Sequence, residues 1–207
     1  MRISKLSPSA RAQGRWLCQL EDGTILRLGE CEVLDFGLYA GRALTEREVE
    51  AIQAAAGKNA RREKALAYAG SRATSRRDMA RKLEQWGADQ AEQEAVCDRL
   101  EELGVLDDGS YAALVARSYA SRGYGEKKLR DELYRRGVPR EHWDAALEGA
   151  GDPAEAIDAF LTKKLRGADL SDPKVYQRAS DALARRGFRW EDISAGLRRY
   201  GAELEEE

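Results

Sequence analysis

Three closely related six-residue words recur along this 207-residue chain at a constant spacing. They read LEQWGA, LYRRGV and LARRGF and begin at Leu83, Leu133 and Leu183, so each word starts 50 residues after the one before it. One match would mean little in a chain with many leucines and glycines, but three in one register indicate an internal repeat. A period near 50 leaves room for about three helices of ordinary length with their loops.

Each word has the form expected at the end of a helix. A glycine readily adopts the left-handed backbone conformation that closes a helix, and in the Schellman arrangement the next residue packs back on the residue four positions before the glycine. Counting back from Gly87, Gly137 and Gly187 puts the leucine of each word at that position. The words therefore predict three helix ends, each closed by a contact between the leucine and the last apolar residue of the word.

Composition favours a mostly α fold. Charged residues make up 35% of the chain and hydrophobic residues 43%, with only 4 prolines, which is typical of helices that each expose a charged face. We expect three tandem three-helix repeats in an elongated curved array, preceded by a small N-terminal β-hairpin plus helix. The predicted ranges are the N-terminal segment 1–57, repeats at 58–106, 107–149 and 150–202, and a short, disordered acidic tail at 203–207.

The first 57 residues differ from the rest in their pattern. Residues 15–20 and 24–28 partly alternate apolar with polar side chains, and Glu-Asp-Gly at 21–23 is a hairpin signal. Residues 31–36 are expected to add a third strand. Thr45 and Glu48 form a capping box, which predicts a helix from there to about Ala56, and a new helix should open the first repeat near Asn59.

The sequence motifs do not indicate an enzyme. The sequence contains no P-loop, no nucleophile elbow, no His-Glu-x-x-His and no Cys/His cluster with ligand spacing, so we expect no catalytic residue, no metal site and no cofactor. Asp107 with Asp108 is better explained as a helix cap than as a metal site, and Gly123-Tyr124-Gly125 as an inter-helix turn than as a phosphate loop. Three cysteines without a C-x-x-C pair, and no apolar run near 18 residues, predict a cytoplasmic protein.

Basic residues recur in the register of the repeat. Arg72 and Arg122 are 50 residues apart, as are Arg77 and Lys127, and Arg136 and Arg186. If the repeats stack with a regular rotation, equivalent positions line one face and form a basic stripe that could meet phosphates or an acidic protein groove. The alternative is an ordinary charged surface balanced by nearby carboxylates. With a net charge of −2, nucleic-acid binding would require such a local patch. The candidate binding residues are Arg72, Arg76, Arg77, Arg122, Lys127, Lys128 and Arg136.

Three motifs together resemble the RecX family of recombination regulators. They are Arg72-x-x-Ser75 followed by Met79 and Leu83-x-x-x-Gly87; Leu103-Gly104-Val105-Leu106-Asp107-Asp108-x-x-Tyr111-Ala112; and Gly125-x-x-x-Leu129-x-x-x-Leu133-x-x-x-Gly137-Val138. The resemblance covers about residues 59–200. The N-terminal segment, with Leu38-x-x-Gly41-x-x-Leu44-Thr45, is similar to an extension seen in some members.

The resemblance implies a non-enzymatic inhibitor of the RecA recombinase. Members of the family are held to bind in the groove of the RecA filament on DNA and to suppress ATP hydrolysis, strand exchange and co-protease activity. It implies a RecA filament as partner, with DNA contacted as part of that filament. We also expect no membrane partner and a monomer. The alternatives are a stand-alone DNA-binding helical-repeat module and a helical scaffold for another protein partner.

Overall fold

The computed structural model describes residues 1–10, 12–166, 168 and 170–206, with the backbone alone at 203–206. Within those residues, a three-stranded sheet is followed by ten α-helices, which confirms the predicted mostly α class. The chain divides into two compact units, one formed by Met1–Ser71 with Lys82–Leu100 and the other by Arg72–Arg81 with Glu101–Glu207.

The sheet is an antiparallel meander in the order β1 (Ile3–Pro8), β2 (Arg15–Leu20) and β3 (Ile25–Gly29). The predicted hairpin is confirmed as β2 and β3, in which Trp16 lies opposite Leu28 and Cys18 opposite Leu26. Because side chains alternate along a strand, one face of this pair carries the buried residues Cys18, Leu20, Leu26 and Leu28.

The predicted strand at residues 31–36 is wrong, because this segment forms helix α1 (Glu30–Asp35). The buried carboxylate of Glu32 accepts a hydrogen bond from the Gly29 N–H at 2.5 Å and another from the Asn59 amide. These bonds satisfy a backbone donor at the helix start and thereby stabilise the helical conformation. The third strand is β1 instead, whose pairing is irregular between Ile3 and Lys5.

Helix α2 (Glu46–Ser71) is continuous over 26 residues, so the predicted end near Ala56 and new start near Asn59 are wrong. Its first turn confirms the capping box, since the Glu48 N–H donates to Thr45 Oγ1 at 3.2 Å and the Thr45 N–H to the Glu48 carboxylate at 2.8 Å. An interior glycine such as Gly57 costs roughly 1 kcal/mol. That cost is too small to break a helix that is buried on both sides of it, at Val49, Ile52, Ala65 and Ala69.

The remaining helices follow the predicted order of three per repeat, and α3, α6 and α9 are the middle helices. A 3-10 turn at Arg140–His142 precedes α7. The predicted disordered tail at 203–207 also differs from the structure, because the backbone of the last helix continues through residues 203–206. Glu207 lies outside the described residues. The bounds of the helices after α2 are α3 Arg76–Gln85, α4 Gln90–Glu102, α5 Asp108–Ala120, α6 Glu126–Arg135, α7 Trp143–Glu148, α8 Pro153–Leu165, α9 Pro173–Arg186 and α10 Trp190–Glu206.

The predicted caps of the three middle helices are confirmed. The backbone φ is +84°, +69° and +90° at Gly87, Gly137 and Gly187. The N–H of the residue after each glycine donates to the carbonyl of the leucine that begins the word, at 3.0, 3.0 and 3.3 Å. Each of these leucines is 0% exposed. This is the 6→1 bond of the Schellman motif. Leu133 with Val138, and Leu183 with Phe188, also belong to the same buried clusters, as the accompanying apolar contact requires.

Replacing Leu133 with alanine should lower the free energy of unfolding by about 2 to 5 kcal/mol, because it removes a fully buried side chain and leaves a cavity. Urea unfolding followed by circular dichroism measures this loss. Leu103, which is 48% exposed, provides the matched control, and its change to alanine should cost under about 1 kcal/mol. Equal losses for the two variants would contradict the cap contact.

Candidate partner-binding surface

The start of α3 lies against the C-terminal cap of α6. Ser75 Oγ accepts a hydrogen bond from the Asp78 N–H at 3.2 Å, which caps α3, and donates one to the Arg136 carbonyl at 2.6 Å. The Arg77 side chain lies over Gly137, where any added Cβ would overlap it. The first turn of one middle helix is thus docked on the glycine cap of the next.

The same arrangement recurs between α6 and α9. The Gly125 N–H donates to the Arg186 carbonyl and the Lys127 N–H to the Gly187 carbonyl, both at 3.0 Å. A Cβ at Gly187 would lie 2.7 Å from the Lys128 backbone nitrogen. We call each arrangement a head-to-tail joint, defined by Ser75, Arg77 and Gly137 in the first and by Gly125, Lys127 and Gly187 in the second. In each, a helix N-terminus with partial positive charge meets a C-terminus with partial negative charge.

Five of the seven predicted binding residues are exposed at or beside these joints. Arg77, Lys127 and Lys128 form no ion pair with any described residue. Arg72 and Arg122 are exposed at equivalent points just before α3 and α6. The Arg122 guanidinium lies 4.9 Å from the ring centre of Tyr119 and 5.5 Å from that of Tyr124. Each joint therefore carries exposed cations in the same register.

The structure gives Arg76 and Arg136 a different environment. Arg76 forms a 2.6 Å ion pair with Glu101. Arg136 donates to the Glu132 carboxylate at 2.5 Å and to the Tyr111 hydroxyl at 2.7 Å. Burial works against the charged guanidinium, but these bonds raise the pKa of Arg136 above its ordinary value. The charges of these two arginines are therefore compensated within the chain, and both side chains contribute to the stability of the fold.

Glu132 holds the last turn of α6 together. Its side chain is 7% exposed and accepts hydrogen bonds from both Arg135 and Arg136. Burial alone would raise its pKa, but the two guanidinium groups outweigh burial and lower the pKa of Glu132 to about 2. The carboxylate therefore remains ionised across the ordinary pH range and fixes the Arg136 backbone that meets Ser75.

Comparisons with known proteins give this surface a family context. Models for the second and third three-helix domains of RecX match residues 107–147 and 152–197. The regulatory protein RecX of Xanthomonas axonopodis pv. citri (strain 306) is 34% identical over 66% of this chain and 85% of its own length. The chain belongs to the RecX family. A second RecX relative, from Halorhodospira halophila, is 33% identical over 69% of this chain and 89% of its own length.

Solved structures of RecX proteins share the fold. A crystal structure of regulatory protein RecX superposes with a TM-score of 0.71 at 22% identity and covers 94% of this chain and 98% of its own. RecX from Lactobacillus salivarius gives a TM-score of 0.65 at 18% identity, over 70% and 97%. The RecX family is one of regulatory proteins, so this chain is a member of a regulatory family with a helical-repeat fold.

The second joint of this RecX chain also contains residues that were absent from the predicted site. Arg186 donates to the Gly123 carbonyl at 3.0 Å and lies over the ring of Phe160, with its guanidinium carbon 4.7 Å from the ring centre. It shares the Tyr124 ring with Arg122. The spacing of 50 residues from Arg136 marked Arg186 as a repeat position. No sequence signal indicated that Arg122 and Arg186 would both contact Tyr124. The aromatic rings hold the cations of this joint in place.

A cavity of about 880 Å³ lies beside the second joint of this RecX fold, and it has the opposite charge character. Six carboxylates and three guanidinium groups line it, and two of those guanidinium groups, Arg130 and Arg189, already pair with Glu126. An excess of carboxylates repels phosphate, so this cavity is not an extension of the cationic joints. Among the described residues, no group of side chains could hold a metal ion, and none of the helices has the length and apolarity needed to cross a membrane.

Replacing Gly125 with alanine should destabilise the second joint by about 1 to 3 kcal/mol, because the new Cβ would overlap the backbone of Gly187 and Phe188. Gly125 has a φ of −85°, so backbone strain makes no contribution. Urea unfolding measures the effect. Gly70 is the control, since it lies within α2 with open space around it and its change to alanine should be stabilising or neutral. Unchanged stability of the Gly125 variant would contradict the joint.

Glu132 should make stability depend on pH. Its folded-state pKa is lowered from 4.5 to about 2, so its contribution is present above about pH 4.5 and is lost as the pH falls towards 2. The wild type should therefore lose roughly 2 kcal/mol more between pH 6 and pH 3 than the Glu132→Gln variant, which cannot ionise. Unfolding curves of both proteins at the two pH values measure the difference. Parallel losses would mean that Glu132 has an ordinary pKa.

Proposed function

We propose that this chain is a non-enzymatic regulator that binds in the groove of a RecA filament on DNA and inhibits its ATP hydrolysis, strand exchange and co-protease activity. Membership in a family of regulatory proteins supports a regulatory role. The observation that carries the finer proposal is the pair of head-to-tail joints, each with exposed cations at positions 50 residues apart.

A repeated partner suits this arrangement. A filament presents the same chemical groups at regular intervals, and this chain presents Arg72 with Arg77 at one joint and Arg122 with Lys127 at the next. A single exposed ion pair contributes only about 0 to 1 kcal/mol. Two linked sets of contacts bind far more tightly than either alone, because the second set forms at a high effective concentration. A monomer is sufficient for this mode of binding.

The charge of the chain favours a filament over bare DNA. Binding to duplex DNA alone requires several phosphate contacts that nearby carboxylates do not oppose. Here the net charge is −2, and cations and carboxylates are present in nearly equal number. Contacts to recombinase protomers would supply most of the interaction, while DNA would be contacted as part of the filament.

DNA-dependent ATP hydrolysis by the recombinase tests the proposal directly. Titration of this protein into filaments preassembled on single-stranded DNA should lower the rate progressively, and half of the effect should be reached well below one molecule per recombinase protomer if one bound molecule blocks its neighbours. An unchanged rate at stoichiometric amounts would refute the proposal.

The double change Arg72→Glu with Arg122→Glu should raise the concentration needed for half-inhibition by about tenfold or more, because both sites reverse charge on the proposed contact surface. Helicity and melting temperature should stay at wild-type values, since both side chains are exposed. The charge-matched control is Arg27→Glu with Arg47→Glu, two exposed residues far along the chain from the joints, and it should inhibit normally. Loss of helicity in the first variant would instead make these arginines structural.

A stand-alone DNA-binding module is the second candidate. Arg77, Lys127 and Lys128 are exposed without carboxylate partners among the described residues, and the Tyr119 and Tyr124 rings lie beside Arg122. Cations beside aromatic rings are a common platform for single-stranded nucleic acid. This function predicts tight binding without recombinase and a steep decrease of affinity with salt. Only weak binding at about 150 mM salt in a fluorescence-anisotropy titration would exclude it.

A further inference from the structure

The C-terminal cap of α3 has the same construction as the two caps that receive a neighbouring helix. Gly87 has a φ of +84°, the Ala88 N–H donates to the Leu83 carbonyl at 3.0 Å, and the Gly87 N–H donates to the Glu84 carbonyl at 2.9 Å. The corresponding glycine bonds in α6 and α9 are also 2.9 Å long. The backbone that forms the receiving half of a head-to-tail joint is therefore present three times.

Two of these three caps are covered and the third is open. A Cβ at Gly137 would overlap Arg77, and one at Gly187 would overlap Lys128. At Gly87, no described atom outside the adjacent residues lies within 4 Å of the same position. The residue is also exposed. The surface that holds a helix start in the second and third repeats is thus uncovered in the first.

The open cap also has unused acceptors. In the joints, the carbonyl before the glycine accepts from Ser75 Oγ or from the Gly125 N–H, and the Gly187 carbonyl accepts from the Lys127 N–H. No hydrogen-bond donor in the described part of the chain reaches the equivalent carbonyls of Trp86 and Gly87. The Trp86 ring packs on α2, where the Lys64 ammonium lies 4.0 Å from its centre and Tyr68 makes an edge contact.

We infer that this open cap is a docking site for the first turn of an α-helix from a partner protein, with serine or glycine at its N-cap and lysine or arginine two residues later. Both internal occupants have this form, since Ser75 is followed by Arg77 and Gly125 by Lys127. The N-cap donates to the first free carbonyl, and the following backbone N–H groups face the negative end of α3. A basic side chain of the same first turn extends over Gly87, as Arg77 does over Gly137 and Lys128 over Gly187. The partner's identity as the recombinase rests on the proposed function.

A second copy of this chain does not fit the open cap. Its remaining middle-helix start is that of α9, where the Asp172 carboxylate accepts the Lys174 N–H at 2.8 Å. The Lys174 N–H is equivalent to the Lys127 N–H that donates to the Gly187 carbonyl, but it already donates to Asp172 within its own helix start. A carboxylate at the N-cap would also face the carbonyl oxygens of the open cap, which repel it. The α9 start of a second copy is therefore excluded, and the inferred occupant is a helix of a different protein.

Matched glycine variants test this inference. Gly87→Asn adds a side chain over the docking surface, and asparagine tolerates the left-handed conformation at a helix end. Gly104→Asn is the control, because Gly104 ends α4 with a φ of +65° and open space around it. We expect Gly87→Asn to raise the concentration for half-inhibition of recombinase ATP hydrolysis by about fivefold or more, with the control unchanged and the melting temperatures of the two variants equal.

The outcomes separate the inference from the proposed function. If the wild type fails to inhibit the recombinase, the proposed function falls and the docking site falls with it. If the wild type inhibits and the Gly87 and Gly104 variants inhibit equally well, only the docking site is overturned.

Photocrosslinking identifies the occupant and does not depend on the stability of the glycine variant. The full chain with p-benzoylphenylalanine in place of Trp86 would be irradiated on recombinase filaments, and the crosslinked peptide sequenced by mass spectrometry. The expected peptide contains a helix start with serine or glycine at the N-cap and lysine or arginine two residues later. A crosslink to any other kind of segment, or none, would overturn the inference.

Discussion

Each middle helix ends at a glycine that closes the helix and leaves room for another helix start to approach. Its left-handed conformation allows the 6→1 and 5→2 bonds that use the carbonyls of the leucine and of the residue after it. The carbonyls of the residue before the glycine and of the glycine itself then remain as acceptors. In α6 and α9 the first of these carbonyls accepts a hydrogen bond from the start of the preceding middle helix, and in α9 the glycine carbonyl does so as well. Because the glycine has no Cβ, that helix start can approach within hydrogen-bonding distance.

This geometry explains the unusual placement of cations at the start of α3 and α6. A positive side chain in the first turn of a helix is unfavourable by roughly 0.3 to 1 kcal/mol, because it lies near the positive end of the dipole. Arg77 and Lys128 lie in such positions, but the side chain of each also lies against the glycine cap of the following middle helix. The neighbouring C-terminus offsets the cost, so the chain can present cations there without weakening its fold.

Signals confined to a few adjacent residues were sufficient to predict much of this structure. The glycine caps, the Thr45 box, the β2–β3 hairpin and the helix start at Asp107 were all predicted, because each is signalled by residues that lie close together in the sequence. The errors arose where distant partners decide the outcome. Glu32 meets Asn59 across 27 residues and stabilises α1 where a strand was expected, and burial on both sides of Gly57 keeps α2 unbroken.

The binding surface shows the same division between local and distant information. Spacing alone identified the register shared by Arg72 with Arg122 and by Arg77 with Lys127, but it could not show that Arg76 and Arg136 are paired within the chain. Arg76 donates a hydrogen bond to Glu101 and Arg136 donates one to Tyr111, each 25 residues away in sequence. A repeat pattern predicts which positions are equivalent, whereas only the fold shows which of them have charges left to offer.

Because α2 is one continuous helix, the angle about its axis between its two buried faces is fixed. Each residue of a helix turns the chain by about 100°, so the face that holds Val49 and Ile52 on the sheet has a set angle to the face that holds Ala65 and Ala69. Deleting a single residue near Gly57 would rotate one face into water while the other stayed in place. Within this family, changes in the length of such a helix should therefore come in steps of three or four residues, close to whole turns.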